Sequence, residues 1–172
     1  ESFLPCRSGM QWRWDGVVFK VLAPDISEQA TDNNRGCVLL IDTGKNRLLL
    51  TGDIEAEAEQ QILTRGMDVQ ADVLVSPHHG SKTSSSPAFL DAVNPRTIIV
   101  SAGFRNRFRH PADLVMKRYE QRRASVLNTA ELGAVRMLFS AEGTDIRSAL
   151  CEQRLFWRTE RYNTHCQSRQ YD

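Results

Sequence analysis

Short apolar runs alternate with polar turns along the chain, and their spacing changes from strand-like to helix-like after residue 53. The runs at 11–14, 17–22, 37–41 and 47–51 are rich in aromatic and aliphatic residues and are separated by turn-forming residues. This pattern predicts antiparallel strand pairs, the first of them closed by an Asp-Gly turn. Good helix formers follow at 54–63, with acidic residues in the first turn and Gly66 just beyond the end.

Strands and helices alternate over the next part of the chain. Apolar β-branched runs at 73–75 and 97–101 predict strands, and Ser86-Pro87 predicts the start of a helix that continues to about Val93. A second helix is expected at about 112–122, followed by strands at 125–127 and 134–139. This order predicts an α/β layer fold. The last thirty residues fit either an edge strand at 155–157 or one helix face formed by Ile146, Ala149, Leu150, Gln153 and Trp157.

Composition indicates one soluble domain. The 172 residues are 41% hydrophobic and 25% charged, and a net charge of +1 gives no global argument for a polyanionic partner. No apolar stretch approaches the ~20 residues that span a bilayer. The four cysteines lack C-x-x-C spacing, which argues against a cysteine metal site but leaves disulfides and the redox compartment open. Because the first residue is Glu1 rather than Met, we expect a piece of a longer protein.

Candidate chemistry lies where two predicted strands end. Asp53 follows the strand at 47–51, and the His78-His79 pair follows the strand at 73–75. If these strands are neighbours in one sheet, a carboxylate and an imidazole meet at its carboxyl edge and suit a Zn or Mn ion. The alternatives are that Asp53 only caps the next helix and that the backbone satisfies both histidines, which point in opposite directions on an extended chain.

Two loops beside these residues could contact phosphate. After Gly80, a run of hydrogen-bond donors is suited to phosphate oxygens, namely Ser81, Lys82, Thr83, Ser84 and Ser85. Before His110, an extended loop would show Arg105, Arg107 and Arg109 on one side. The alternatives are a flexible polar loop, a solvated basic loop and an ordinary surface histidine.

Three linked motifs carry a family resemblance: L-T-G-D-I-E at 50–55, P-H-H-G-S-x-T-S at 77–84 and S-A-G-x-x-N-x-x-x-H-P at 101–111. With their order and spacing, the chain from Gly9 to about Phe139 resembles the later part of the metallo-β-lactamase-fold domain of ComEC-type DNA-internalisation proteins. The resemblance implies an α/β fold that is the C-terminal portion of an αββα sandwich, with mixed sheets and flanking helices. It also implies a partial domain at 1–140 and a C-terminal extension of undecided structure at 141–172.

The resemblance implies a soluble domain of an inner-membrane channel protein for natural transformation, with the side of the membrane undecided. It would be a metal-dependent nuclease acting on incoming, single-stranded DNA. Asp53 would bridge two divalent metal ions, Zn or Mn, and His79 would be a terminal ligand. His78 would lie beside the metals, and His110 and Asn106 would face the phosphodiester. The residues that would bind the substrate are Ser81, Lys82, Thr83, Ser84, Arg105 and Arg107.

The chain departs from the family pattern in one respect. The H-x-H-x-D-H motif that supplies most metal ligands in this family is missing, and His78 is the first histidine. The motif either precedes Glu1 or has been lost. Because Asp53 and His79 are too few ligands to hold a metal tightly, we expect the isolated 172 residues to be inactive. Two other functions remain open: a non-catalytic module that guides DNA, and a hydrolase of small phosphoesters or other esters.

Overall fold

One seven-stranded sheet organises the computed structural model, which describes residues 5–25, 32–140 and 143–152. Its strands lie in sequence order, antiparallel from β1 to β4 and parallel from β4 to β7. They are β1 Gln11–Trp14, β2 Val17–Ala23, β3 Val38–Asp42, β4 Arg47–Leu50, β5 Val73–Val75, β6 Thr97–Val100 and β7 Ser125–Asn128. The predicted hairpin at 11–22 is confirmed, and its turn residues Asp15 and Gly16 both have positive φ, as a tight two-residue hairpin turn requires.

Helices flank this sheet: α1 Ala56–Thr64, α2 Pro87–Val93, α3 Asp113–Gln121 and the short α4 Thr129–Leu132. Ser86 caps α2 through its side chain, as its position before Pro87 predicts. The α/β class, with a mixed sheet and flanking helices, is therefore confirmed. Within the described ranges the longest helices have nine residues, and none is both long and apolar enough to cross a bilayer.

The chain after the main sheet forms a separate hairpin. β8 Val135–Phe139 pairs with β9 Thr144–Ser148, and α5 Ala149–Glu152 follows. The predicted helix face that began at Ile146 is wrong at that residue, because Ile146 lies in β9 opposite Met137. Sequence spacing could not reveal this pairing, since the partner strand lies on the far side of a turn. Gln153 and the run at 155–157 lie outside the described residues.

The two faces of the main sheet differ in how well they are covered. On the helix side, neighbouring strands contribute fully buried residues to a core with α1, α2 and α3: Leu40, Leu49, Leu74 and Ile98. By strand alternation, the other face carries apolar residues that lie outside that core. Val21 and Val73 are buried there, and the following are half-buried: Leu39, Ile41, Leu48, Leu50, Val75 and Ile99. The sheet therefore keeps one apolar face partly open to solvent.

A buried carboxylate on α1 holds the loop that follows β5, which we call the histidine loop (residues 76–86). The Glu59 side chain is fully buried and accepts hydrogen bonds from the backbone N–H groups of Ser85 and Ser86. Burial raises the pKa of Glu59, and the hydrogen bonds from Ser86 and Ser85 and the nearby Arg118 oppose that rise.

Helix α3 holds the same loop from the other side. The Tyr119 hydroxyl lies 2.7 Å from the Ser76 hydroxyl and 2.7 Å from the Ser85 hydroxyl. The Arg118 guanidinium donates to the backbone carbonyls of Ser84 and Ser85, at 3.1 and 2.9 Å. Because both ends of the loop are bonded to buried groups on two helices, its backbone has little freedom.

A disulfide joins Cys6 to Cys37, at the start of β3. It ties the segment before β1 to the middle of the sheet across 31 positions of sequence. Composition alone left the disulfides undecided, because two cysteines so far apart in sequence give no signal of their pairing.

We predict that the protonation of Glu59 makes stability depend on pH. Since its folded-state pKa is raised, the native state holds this proton more tightly than the unfolded chain, whose carboxyl titrates near 4.5. The stability that the proton contributes is complete below pH 4.5 and is lost as pH rises through the folded pKa. Urea unfolding of the wild type and Glu59→Gln should therefore give a difference in unfolding free energy that shrinks as pH rises above 4.5.

Asp68→Asn is the matched control. Its carboxylate bonds Arg47, which lowers the pKa of Asp68 below 3.8, so its contribution is lost only as pH falls. The difference between the wild type and Asp68→Asn should stay level above pH 4.5. If the difference in unfolding free energy between the wild type and Glu59→Gln grows with pH, the pKa of Glu59 is not raised in the folded state.

We also predict that the disulfide is a main source of stability. For a closed loop of this length, chain entropy gives about 3–4 kcal/mol. Replacing both Cys6 and Cys37 by Ser should lower the free energy of unfolding by about that amount. In thermal unfolding, the reduced wild type should match the double variant, and the oxidised wild type should unfold at a clearly higher temperature. A melting temperature that reductant leaves unchanged would be evidence against the bond.

Candidate functional site

Three strand ends meet at the carboxyl edge of the sheet. β4 and β5 are parallel neighbours, as are β5 and β6, so the segments that follow them leave the sheet on the same side. Two hydrogen bonds connect the first two exits: the Thr51 hydroxyl donates to the Val75 carbonyl at 2.7 Å, and the His78 N–H donates to the Gly52 carbonyl at 2.9 Å. This is the arrangement that the sequence pattern predicted for Asp53 and the histidine pair.

Asp53 and His79 form the central pair of the site. The Nε2 atom of His79 lies 3.4 Å from an Asp53 carboxylate oxygen, and each side chain is about half exposed. The other ring nitrogen, Nδ1, lies 2.6 Å from the Ser101 carbonyl oxygen. A carbonyl can only accept, so Nδ1 carries a proton, and Nε2 is the ring nitrogen that faces the carboxylate. Asp53 does not cap α1, because Glu55 occupies the N-cap position.

Both histidines face this edge because their backbone is left-handed. His78 has φ 48° and His79 has φ 56°, and their ring centroids lie 6.3 Å apart. The expectation that neighbours on an extended chain point in opposite directions is therefore wrong here. Non-glycine residues adopt positive φ at a cost, and the hydrogen bonds that hold the histidine loop offset that cost.

Glu55 belongs to the site and was not among the predicted site residues. One of its carboxylate oxygens lies 3.4 Å from His78 Nδ1 and accepts a hydrogen bond from the Thr83 hydroxyl at 3.0 Å. The spacing between Asp53 and Glu55 was a usable signal, because residues two apart on an extended segment point to the same side. Among the described residues, the buried His78 Nδ1 atom has no hydrogen-bond partner, although Glu55 lies 3.4 Å away.

His110 is the third imidazole of the group. Its ring centroid lies 6.0 Å from that of His78, and its Nδ1 atom is buried without a hydrogen-bond partner among the described residues. Burial lowers the pKa of His110, and the neighbouring His78 and His79 lower it further. A neutral His110 can accept a proton or a hydrogen bond at neutral pH.

The loop between β6 and α3, residues 102–111, is a compact turn and not the extended segment that we expected. Arg105 and Arg109 both have positive φ, so the three arginines do not form a simple stripe. Asn106 fixes the loop from within. Its amide donates to the Gly103 and His110 carbonyls and accepts from the His110 N–H, at 3.0, 2.7 and 2.9 Å.

The hydroxyl run of the histidine loop divides into buried and exposed positions. The Ser84 hydroxyl is buried, 2.8 Å from the Pro77 carbonyl and 3.0 Å from the Ser81 carbonyl. Ser81 is also buried, and its hydroxyl bonds that of Thr83 at 3.0 Å. Lys82 and Thr83 are exposed at the surface. Ser81 and Ser84 thus hold the loop together, and Lys82 and Thr83 remain open to an incoming group.

Gly80 allows the histidine loop to pack closely against the loop after β6. It has φ +80°, and a Cβ atom added there would lie 2.7 Å from the Cβ of Pro111. The Ala112 N–H also donates to the Gly80 carbonyl at 2.9 Å. A glycine is required here for both conformation and space, and this close packing fixes His110 relative to His78.

Few potential metal ligands lie close together in the described part of the chain. No group of three or more His, Cys, Asp or Glu side chains within it is arranged to hold a metal ion. Asp53 and His79 fit a divalent metal by the chemistry of their donors, since a neutral imidazole nitrogen with an anchored partner nitrogen is the form that binds metals. They would supply two ligands of the three or four that zinc requires.

Comparison with known proteins reveals two informative relatives. Recombination protein 2 of Haemophilus influenzae is 42% identical over 144 residues, which cover 84% of this chain and 18% of the relative. Competence protein ComA of Neisseria gonorrhoeae is 38% identical over 126 residues, 73% of this chain and 18% of the relative. The chain thus spans less than a fifth of the length of these two proteins.

No protein-family model matches the chain. Among solved structures, a candidate Zn-dependent hydrolase of the metallo-β-lactamase superfamily from Thermotoga maritima is 14% identical, with a TM-score of 0.42 over 71% of this chain and 69% of that one. The sequence matches at about 40% identity establish that this chain is homologous to a segment of bacterial competence and recombination proteins.

Proposed function

We propose that the chain is the C-terminal part of a metal-dependent phosphodiesterase domain of the metallo-β-lactamase type, within a ComEC-like protein of DNA uptake. The observation that carries the proposal is the Asp53–His79 pair, with His79 Nδ1 anchored on the Ser101 carbonyl. Homology to proteins named for competence and recombination supports DNA as the partner.

Asp53 and His79 would hold the metal in this proposal. In the intact domain two divalent ions, Zn or Mn, would share the Asp53 carboxylate, and ligands beyond the described residues would complete each site. A bound metal ion of this kind supplies Lewis-acid chemistry, polarising a phosphoryl oxygen and activating a water molecule. The Ser101 carbonyl would hold the imidazole ring in its ligating orientation.

The remaining residues would bind and orient a phosphodiester. His78, which lies beside Glu55, and His110 would lie near the ions held by Asp53 and His79, and His110, whose pKa is lowered, would accept a proton at a ring nitrogen. Asn106 would act through His110, whose backbone it holds.

Cationic and hydroxyl side chains would contact the phosphates on either side. Lys82 and Thr83 are exposed on the histidine loop, and Arg105 and Arg107 are exposed on the loop after β6. Ser81 and Ser84 would support that surface from inside the histidine loop rather than contact the substrate themselves.

The partly open face of the main sheet supports a partial domain at 1–140. Six apolar residues there are half-buried, enough to seat a second apolar layer. In an αββα sandwich the second sheet would cover this face and bring the missing metal ligands with it. The boundary between this partial domain and the extension at 141–172 would fall in the turn between β8 and β9.

The domain would be a soluble part of an inner-membrane channel protein, with the rest of that protein as its partner. The Cys6–Cys37 disulfide favours the side of the membrane that faces an oxidising compartment, where such bonds persist.

A second function has one observation in its favour. Because the described residues include only two suitably arranged ligands, the same fold could guide DNA without cutting it. In that case exposed cations alone would hold the DNA, and binding would fall steeply with salt whether or not metal is present.

The test uses the full-length parent protein and single substitutions at Asp53 and His79. We expect Asp53→Ala and His79→Ala each to remove stoichiometric Zn or Mn binding, measured by equilibrium dialysis, and to reduce cleavage of labelled single-stranded DNA by a factor of about 100 or more. The physical reason is that each substitution removes one direct metal ligand from a site that has few ligands.

Asp145→Ala is the matched control, because this exposed carboxylate lies on β9 and pairs with Arg147. It should change neither metal content nor cleavage. Cleavage that survives both site substitutions would exclude the proposed metal site, and DNA binding without any bound metal would favour the guiding module.

A further inference from the structure

Two exposed phenylalanines lie in the loop after β6, which also carries His110. Phe104 is 71% exposed and Phe108 is 63% exposed, and neither packs into the core. A large exposed aromatic ring loses the stabilisation that burial would give it, so two of them in one short loop require an explanation.

Each ring is paired with a guanidinium group. The Arg105 guanidinium lies over the Phe104 ring at 5.2 Å from its centroid, and the Arg107 guanidinium lies over the Phe108 ring at 4.6 Å. The loop therefore presents two stacked pairs of a guanidinium and a ring, and both rings still remain mostly exposed. This combination matches a nucleotide chain, in which flat bases alternate with phosphate charges.

Phe108 also connects this surface to the histidine group. Its ring stacks on the His110 ring with centroids 5.7 Å apart and an interplanar angle of 15°. The His110 ring in turn lies 6.0 Å from the His78 ring. A base that stacks near Phe108 would therefore have its phosphate close to the histidines.

The loop is held firmly enough to position such contacts. Asn106 lies between the two phenylalanines and makes three hydrogen bonds within the loop. The contact between Gly80 and Pro111 fixes the end of the loop against the histidine loop. The aromatic rings are thus carried on a rigid turn whose geometry relative to the site is set.

We propose that Phe104 and Phe108 form a stacking platform for unpaired nucleobases and make the site select single-stranded over double-stranded nucleic acid. This rests on the proposed function and assigns its substrate selectivity to two residues. Bases within a duplex have their faces covered by neighbouring pairs and cannot stack on a side chain, whereas every unpaired base offers a free face. Arg105 and Arg107 would hold the adjacent phosphates without regard to pairing.

Binding by the chain is measured with metal chelated, so that cleavage plays no part. The probes are a labelled unpaired oligonucleotide of about 12 nucleotides, an abasic oligomer of the same length and a duplex of the same length. The wild type should bind the unpaired probe about 10-fold more tightly than the abasic oligomer or the duplex, because only the unpaired probe offers free base faces for stacking.

The double variant Phe104→Ala/Phe108→Ala should lose that preference and leave the salt dependence of binding unchanged. Arg105→Ala/Arg107→Ala should weaken binding to all three probes and reduce the salt slope by about 1.4, the value for two phosphate contacts on a single strand. The Phe104→Tyr/Phe108→Tyr variant keeps the rings and should restore the preference.

Trp14→Ala is the matched control. Trp14 is 73% exposed but lies on β1, at the opposite edge of the sheet from β7 and five strands away from β6. This change should affect no probe. Thermal unfolding of every variant should match the wild type, since all the altered side chains are exposed.

Three results would overturn the inference. Equal binding of unpaired and abasic probes, unaffected by the phenylalanine changes, would overturn it and leave the proposed function standing. Binding to none of the three probes would overturn both. Phenylalanine-dependent binding to anionic lipid vesicles, with no preference among the probes, would instead assign the rings to a membrane surface.

Discussion

The site depends on the hydrogen bonds that hold the histidine loop between two helices. Glu59 of α1 accepts from the loop backbone, and Tyr119 of α3 bonds hydroxyls at both ends of the loop. These contacts are buried, where an unmade hydrogen bond is expensive. They allow His78 and His79 to remain in the left-handed backbone that turns both rings toward the edge of the sheet.

That conformation gives each imidazole its own carboxylate. Asp53 reaches His79 from the end of β4, and Glu55 reaches His78 from the start of α1. The Ser101 carbonyl, at the end of β6, then fixes which nitrogen of His79 is free. The three parallel strands β4, β5 and β6 are thus followed by Asp53, His79 and Ser101, and the His79 ring contacts the other two. The site therefore lies where the carboxyl ends of these strands meet.

The same construction leaves surfaces that the described chain does not cover. The apolar face opposite α1, α2 and α3 is half-buried, and the aromatic rings beside His110 project into solvent. One surface is apolar, and the other combines aromatic rings with cations. These differences fit a second protein layer in the first case and a nucleotide chain in the second.

Most of the framework could be predicted from local signals in the sequence. Alternating apolar runs, the Asp-Gly turn and the Ser-Pro helix start are local signals, and they identified the strands, the first hairpin and the beginning of α2. The order of the elements was also enough to bring Asp53 and His79 to one edge, because parallel neighbours open on the same side.

Tertiary structure decided what each side chain does there. Whether Ser84 faces a substrate or the loop interior, whether Asn106 faces outward or fixes its own loop, and which way two adjacent histidines point all depend on partners distant in sequence. The pairing of Cys6 with Cys37 and of Ile146 with Met137 is of the same kind. Local propensity describes a residue and its neighbours, and these outcomes were set by hydrogen bonds and packing between segments that meet only in the folded chain.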